Sequence, residues 1–212
     1  ELASIHPYKT SDYATIDFDQ FAADVWQHRP QGIMMFAVSG FITQIMEAMY
    51  KIQTYPISFV TSSVTGDATL KYLKANTHLD QTQFHQTQIV PHPKSNTALV
   101  RNYRAAMIAR SGPSVNVDFL SLEGYIVGRL VIEALRRTPV LTRANFLKAI
   151  YATKLFSIDD LLAGPYSNDC VHDDGTAVGN SSLCNCNTGL RFVSVTGIDS
   201  NYEQVSVGVP DF

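Results

Sequence analysis

Apolar residues recur along this chain with two different periods, and each change of period marks an element boundary. Asp17 can cap a helix with Gln20 three residues on, and Phe18, Phe21, Ala22, Val25 and Trp26 then repeat at helical spacing until Arg29-Pro30. Gly32 leads into Ile33-Met34-Met35-Phe36-Ala37-Val38, a run apolar on both faces, as expected of a strand buried between two helical layers. Ser39-Gly40 ends that run. Helical spacing resumes at Ile42, Ile45, Met46 and Met49, and Pro56 precedes a second strand, Ile57 to Thr61, that stops in Ser62-Ser63. Strand, helix, strand in this order is a βαβ unit and implies a parallel sheet.

The alternation continues. Thr65 is expected to start a helix that runs to about Asn76, with Asp67 favourable beside its positive end, and Phe84 to Val90 reads as a third strand. Pro91-His92-Pro93 holds the backbone extended, after which Leu99, Tyr103, Ala106 and Met107 mark a helix ending at Ser111-Gly112-Pro113. Asp118 precedes the best-patterned helix, whose expected inward face is Phe119, Leu122, Ile126, Val127, Leu130, Val131, Ala134 and Leu135, stopped by Thr138-Pro139. Thr142 caps a shorter helix, with Leu141 and Phe146 placed to clamp its entry. Beyond Phe156 the character changes: residues 164–189 are rich in Gly, Ser, Asn, Asp and Cys, and Leu190 to Val195 and Tyr202 to Val209 alternate as half-exposed strands. This predicts a long loop and a β-hairpin.

Composition narrows the function classes. With 212 residues, 45% of them apolar and 17% charged, the chain has enough material for a large core and is neither a disordered tail nor a fibrous repeat. Its net charge of -3 weighs against a nucleic-acid partner, and the densest basic group, Arg101, Arg104 and Arg110, reads as a solvated helix face. The longest apolar run, Ile33 to Val38, is far short of a membrane span. No signal peptide opens the chain and Glu1 is not an initiator, so a processed or excised piece is expected. No phosphate loop, dinucleotide fingerprint, zinc-protease helix or nucleophile elbow is present, so no cofactor is expected.

Two places could carry chemistry. Val38-Ser39-Gly40 and Thr61-Ser62-Ser63 close neighbouring parallel strands, where helix N-termini offer free N–H groups, and the small hydroxylated residues would form one rim. Turn and cap preference alone also favours such residues at these junctions. The second place is the polar loop, where Cys170, His172, Asp173, Asp174, Cys184 and Cys186 lie close in sequence. Zinc or thiolate chemistry is one reading of it. The favoured one is structural, because Cys184-Asn185-Cys186 is too tight for ordinary paired zinc ligands. Residues i and i+2 of a strand are also poorly placed to bond each other, so Cys170 is expected to pair with Cys184 or Cys186, leaving one cysteine over. Such a bridge would close a loop of about 15 residues and stabilise by roughly 3 kcal/mol. Asn180-Ser181-Ser182 is a glycosylation sequon in the same loop, and with the cysteines it points to an oxidising, extracellular compartment.

Ser121-Leu122-Glu123-Gly124-Tyr125, continuing through Ala134-Leu135 to the Leu141-Thr142 helix, resembles the type I periplasmic-binding-protein fold in its leucine/isoleucine/valine-binding branch. Gln88-Ile89-Val90-Pro91 followed by residues 99–106 resembles that family's return from its second lobe to its first. Together the matching stretches run over about residues 15–160. The resemblance implies a parallel-sheet αβα sandwich, incomplete because only the C-terminal half is present, closed by a disulfide-bearing hairpin. Residues 1–87 would be second-lobe βαβ units, 88–155 the segment returning to the first lobe and 156–212 the closing loop and hairpin. It places ligand contacts at Ser39, Gly40, Phe41, Ser62 and Ser63. Amino-acid-binding members carry a carboxylate near the second junction, whereas here Ser63 stands there with Asp67 the nearest acid, which argues against an amino-acid ligand. Cys184-Asn185-Cys186-Asn187-Thr188-Gly189 before a strand is similar to the ectodomains of trypanosomatid receptor-type adenylate cyclases, which implies a membrane helix and a cyclase domain elsewhere in the parent.

The expected function is therefore a non-catalytic extracellular sensor region of a cell-surface receptor. It would bind a small-molecule ligand, be completed by a missing N-terminal lobe, and act alone or with a second copy of itself. A solute-binding protein of a transporter is the first alternative. A metal- or thiol-dependent hydrolase using Cys170, His172 and Asp174 is the second.

Overall fold

A computed structural model describes residues 3–167, 187, 189–190 and 193–207. In chain order the elements are α1 (Phe18–Trp26), β1 (Gly32–Met35), α2 (Ser39–Ile52), β2 (Ser58–Ser62), α3 (Gly66–Ala75), β3 (Phe84–Gln88), α4 (Ala98–Ser111), α5 (Phe119–Arg136), α6 (Arg143–Thr153), β4 (Phe156–Ile158), β5 (Leu161–Ala163), β6 (Ser194–Ile198) and β7 (Gln204–Ser206). Short 3-10 turns occupy Thr10–Thr15, Ser63–Thr65 and Gln81–Gln83. The chain divides into two compact units, residues 1–88 with 194–211, and residues 89–193.

The first unit is built on a five-stranded sheet in the order β1-β2-β3-β6-β7. β1, β2 and β3 are parallel, with Gly32 opposite Ser58 and Phe59 opposite Phe84, whereas β6 and β7 add an antiparallel edge. The sheet is therefore mostly parallel and mixed. Asp17 caps α1 by accepting the Gln20 N–H at 2.9 Å, as its spacing predicts. The core joins Ala22 and Val25 of α1 to Ile42, Ile45, Met46 and Met49 of α2 and to Met35, Phe59 and Phe84 of the sheet. Phe41 lies at one end of it, with Tyr8 stacked on its ring at 3.9 Å and Phe21 edge-on at 5.6 Å.

Several expectations for this unit are corrected. The strand expected over Ile33 to Val38 stops at Met35, and it is not apolar-covered on both faces. Met34, Phe36 and Val38 are 67%, 76% and 54% exposed, because alternation turns only Met35 and Ala37 toward the helices. The strand expected at Ile57 to Thr61 runs one residue later, and that expected over Phe84 to Val90 ends at Gln88. Thr65 precedes α3, yet its side chain does not cap it. The hydroxyl instead donates to the Ser62 carbonyl at 3.2 Å and accepts from the Gln86 carboxamide. The closing hairpin is present as β6 and β7, but its first strand begins at Ser194 and not at Leu190, which bridges Ala163 in the second unit.

The second unit packs α4, α5 and the β4–β5 hairpin around Leu99, Tyr103, Leu122, Ile126, Phe156 and Ile158. Those two strands are three residues each, too short to leave a periodic signature. The expected inward face of α5 is too wide. Leu122, Ile126 and Ala134 are buried, whereas Val127, Val131 and Leu135 are 52%, 40% and 41% exposed. Thr142 caps α6 through the Asn145 N–H, but Leu141 is 74% exposed and leaves little side chain to clamp the entry. Two polar knots hold the helices. Asp118 and Ser121 form a reciprocal capping box at the start of α5, and the fully buried Tyr103 of α4 brings its hydroxyl within 2.6 Å of Ser121 Oγ. At the start of α4, Asp160 accepts the Ala98 and Leu99 N–H groups at 2.7 and 3.0 Å, while Thr97 takes that of Val100.

Burial pushes the Asp160 carboxyl up, but these backbone donors and the nearby Arg101 outweigh it and hold the group below its ordinary value. A carboxyl depressed in the folded state stabilises above its unfolded-state value, near 3.9, and loses that contribution as pH falls through the folded value. Asp160→Ala is expected to cost about 1 kcal/mol at neutral pH, as loss of a helix cap does. In thermal melts the gap between variant and parent should close as pH is lowered below about 4.

Candidate functional site

β1 and β2 are adjacent and parallel, so the segments that leave them reach the same edge of the sheet. β1 ends at Met35, and Phe36, Ala37 and Val38 lead to Ser39, which opens α2, while Ser63 opens the turn that follows Ser62, the last residue of β2. The two junctions thus form neighbouring parts of one rim. Ser39, Ser62 and Ser63 are half-buried and Gly40 is exposed. The Phe41 side chain is turned inward and is 4% exposed, so this residue offers the rim its place in the first turn of α2 and not its ring.

Neighbours fix the rim in place. Ser39 Oγ lies 3.0 Å from Oγ1 of the fully buried Thr69, a hydrogen bond that pins the start of α2 to α3. Further along, Glu47 of α2 accepts from the Tyr72 hydroxyl of α3 at 2.9 Å and contacts His78 Nε2 at 2.9 Å. Burial, with the carboxylate beside it, raises the Tyr72 phenol above its ordinary value, so the phenol keeps its proton and donates. Over the rim lies Tyr13, whose hydroxyl would stand 3.0 Å from a Cβ placed on Gly40. A side chain there would need the phenol to give by only a few tenths of an ångström.

Below the rim the core face of the sheet changes character. Phe59 and Phe84 fill its lower part, but Thr61, Gln86, Gln88 and Thr196 are buried toward the carboxyl ends of β2 and β3, with Thr65 beside them. Gln86 donates to the Ser62 carbonyl at 3.2 Å and to Thr65 Oγ1. Thr61 Oγ1 and Gln88 Oε1 are buried without a hydrogen-bond partner among the described residues. The whole layer is uncharged, a polar floor of hydroxyls and carboxamides.

The helix starts differ in one respect. α1, α4, α5 and α6 begin on the side-chain caps Asp17, Thr97, Asp118 and Thr142, each accepting an N–H of the first turn. α2 and α3, the two helices at the rim, begin on Val38 and Thr65 with no side-chain cap. α3 continues directly from the 3-10 turn Ser63–Thr65, whose own i→i+3 bonds engage its leading N–H groups, so it is the start of α2 whose first N–H groups have no acceptor within the helix.

Cys170, Cys184, Cys186, His172, Asp173, Asp174 and the sequon at Asn180 lie outside the described residues, as does the Asp67 side chain. Among the described residues no group of three His, Cys, Asp or Glu could hold a metal, and no helix is long and apolar enough to cross a membrane. Sequence reasoning missed Tyr13, Thr69 and Gln86. Gln86 and Gln88 could have been flagged, since they share the inward alternation of Phe84. Tyr13 and Thr69 reach the rim only through the fold.

The model of the family described as periplasmic binding protein matches residues 6–189. Among solved structures, a possible leucine/isoleucine/valine-binding protein from Rhodopirellula baltica is 25% identical with a TM-score of 0.63, over 88% of this chain and 46% of that one. An extracellular ligand-binding receptor from Verminephrobacter eiseniae shares the fold with a TM-score of 0.65 at 19% identity, over 89% and 48%. Among curated proteins, the receptor-type adenylate cyclase GRESAG 4.3 of Trypanosoma brucei brucei is 24% identical over 87% of this chain and 16% of its own length. The receptor-type adenylate cyclase ESAG 4 of the same organism is 30% identical over 42% and 7%. The chain thus spans about half of the solved relatives and less than a fifth of the curated ones. A match to the family model over most of the chain, with a mostly parallel sheet flanked by helices, makes this a member of the periplasmic binding protein family: a type I ligand-binding domain.

Proposed function

We propose that this chain is a non-catalytic, extracellular ligand-binding region of a cell-surface receptor of the receptor-type adenylate cyclase kind. The observation that carries the ligand-binding part is the uncapped start of α2 beside the Ser62-Ser63 junction on one hydroxylated rim, in a unit whose α1 is capped. Ser39, Gly40, Ser62 and Ser63 supply hydroxyls and N–H groups to a small molecule rich in hydrogen-bond acceptors, with Phe41 anchoring the turn from below. Ser63 offers no counter-charge to an ammonium group. The receptor part is supported by the similarity to a receptor-type cyclase over 87% of the chain. A solute-binding protein of a transporter is the competing reading, favoured by the similarity to a possible leucine/isoleucine/valine-binding protein.

The partner that completes the domain is, on this reading, the other lobe. One stripe of α5 is exposed and free of charge: Leu120, Gly124, Val127, Gly128, Val131 and Leu135. A Cβ at either glycine would meet nothing within 4 Å, so a covering element can approach closely there. Chain from the first lobe covers this stripe, and a second copy is the alternative occupant.

Four outcomes are expected. A chain extended by the first lobe should show ligand-dependent thermal shifts with acceptor-rich solutes in a panel of polyols, carboxylates and amino acids. Ser63→Glu should move its preference toward ammonium-bearing members without lowering the unliganded melting temperature, and an unchanged preference removes Ser63 from the site. In sedimentation, the 212-residue chain should self-associate and the extended chain should not. Association that persists in the extended chain and is abolished by Val131→Glu would make the stripe an interface between copies. The parent transcript should encode a membrane-crossing helix and a cyclase domain after residue 212, and their absence leaves the transporter reading.

A further inference from the structure

Gln88, Gln86 and Thr65 of the polar floor and the half-buried Gln204 of β7 are joined by hydrogen bonds that all run in one direction. Gln88 Nε2 donates to Gln204 Oε1 at 2.9 Å, Gln204 Nε2 donates to Gln86 Oε1 at 2.8 Å, and Gln86 Nε2 donates to both the Ser62 carbonyl and Thr65 Oγ1. Thr196 of β6 braces the middle, with its hydroxyl 3.1 Å from the Gln86 carbonyl and 3.2 Å from Gln204 Oε1. The chain of carboxamides starts at the last residue before the polypeptide leaves the first unit, passes through β7, and ends on the turn that carries Ser62 and Ser63.

We infer that Gln204 of β7 is a positioning residue for the ligand rim, acting through Gln86 on the Ser62–Thr65 turn. This rests on the reading of Ser62 and Ser63 as ligand contacts.

The argument is one of alternatives. Gln86 is 1% exposed, so its carboxamide has no recourse to bulk water and must find partners within the unit. Its Nε2 can satisfy the turn in the observed geometry only while its Oε1 faces a donor, and that donor is Gln204 Nε2. Withdrawing it leaves a buried acceptor unpaired. Rotation of the Gln86 amide is then favoured, and rotation takes the donors off Ser62 and Thr65. Apolar side chains at these positions would fill the same space without such a dependence, since packing does not care about orientation. Low local dielectric makes each link in such a buried chain sensitive to its neighbours. Because linkage is reciprocal, displacement of the rim turn is felt at β7, the last strand among the described residues.

Hydrogen exchange on the 212-residue chain without ligand tests the relay. Gln204→Met should raise exchange of the amides of residues 63–66 about tenfold, the consequence of losing roughly one hydrogen bond, while those of α1 stay unchanged. Val205→Ala, on the same strand but outside the relay, should leave the turn as it was. In the other direction, Thr65→Val should raise exchange in residues 204–206. Gln86→Leu should release the turn as Gln204→Met does, and if it does not fold the Gln204→Met result decides alone. An unchanged turn in Gln204→Met, or a rise spread evenly through α1 and β1, overturns the inference and leaves Gln204 a sheet-edge stabiliser. Since no ligand enters this measurement, a rim that binds nothing is detected separately, by the thermal-shift panel.

Discussion

Parallel pairing of β1 with β2 is the constraint from which the site follows. Two strands that run the same way cannot be joined by a tight turn, so the chain must return through α2 before β2 begins, and again through α3 before β3. Every return helix therefore starts at the carboxyl edge of the sheet, and the junctions that lead into successive helices collect there. The register of Gly32 with Ser58 and Met35 with Thr61 then puts the two junctions side by side. An antiparallel arrangement of the same strands would send the two helix starts to opposite ends.

What the edge can bind depends on the residues placed there. Val38 cannot cap α2 with its side chain, whereas α3 is led in by the 3-10 turn Ser63–Thr65, where Thr65 spends its hydroxyl on Ser62 and Gln86. The floor beneath is polar and uncharged, and Gln86 and Gln204 hold each other in one orientation. A buried carboxamide layer is costlier than a hydrocarbon one unless its donors and acceptors are matched. In exchange it has a single best arrangement, which suits a surface that must present hydroxyls at fixed positions.

Much of the fold was legible in the sequence because one period per element is a strong signal. α1 with its Asp17 cap, α4 ending at Gly112, α5 behind Asp118, α6 behind Thr142 and the order of β1, β2 and β3 all follow from spacing and caps. The misses have physical causes. Phe36 and Val38 look like core by composition, but the alternation that buries Met35 and Ala37 turns them outward. The α5 face looks wide by hydropathy, yet only the part near Leu122, Ile126 and Ala134 finds a partner among the described residues. The β4–β5 hairpin is too short to have a period at all.

The sequence by itself determined the succession of α1 to α6 and β1 to β3, the parallel character of those three strands and the hydroxylated junctions at Ser39 and Ser62-Ser63. These depend on local preferences and on patterns a few residues long. Tertiary structure alone decided that Asp160 caps a helix 62 residues away, that Tyr13 lies over Gly40, and that Gln204 reaches Gln86 across 118 positions. Contacts of that separation are set by sheet order and register, and no local signal encodes which distant side chain a strand will bring alongside.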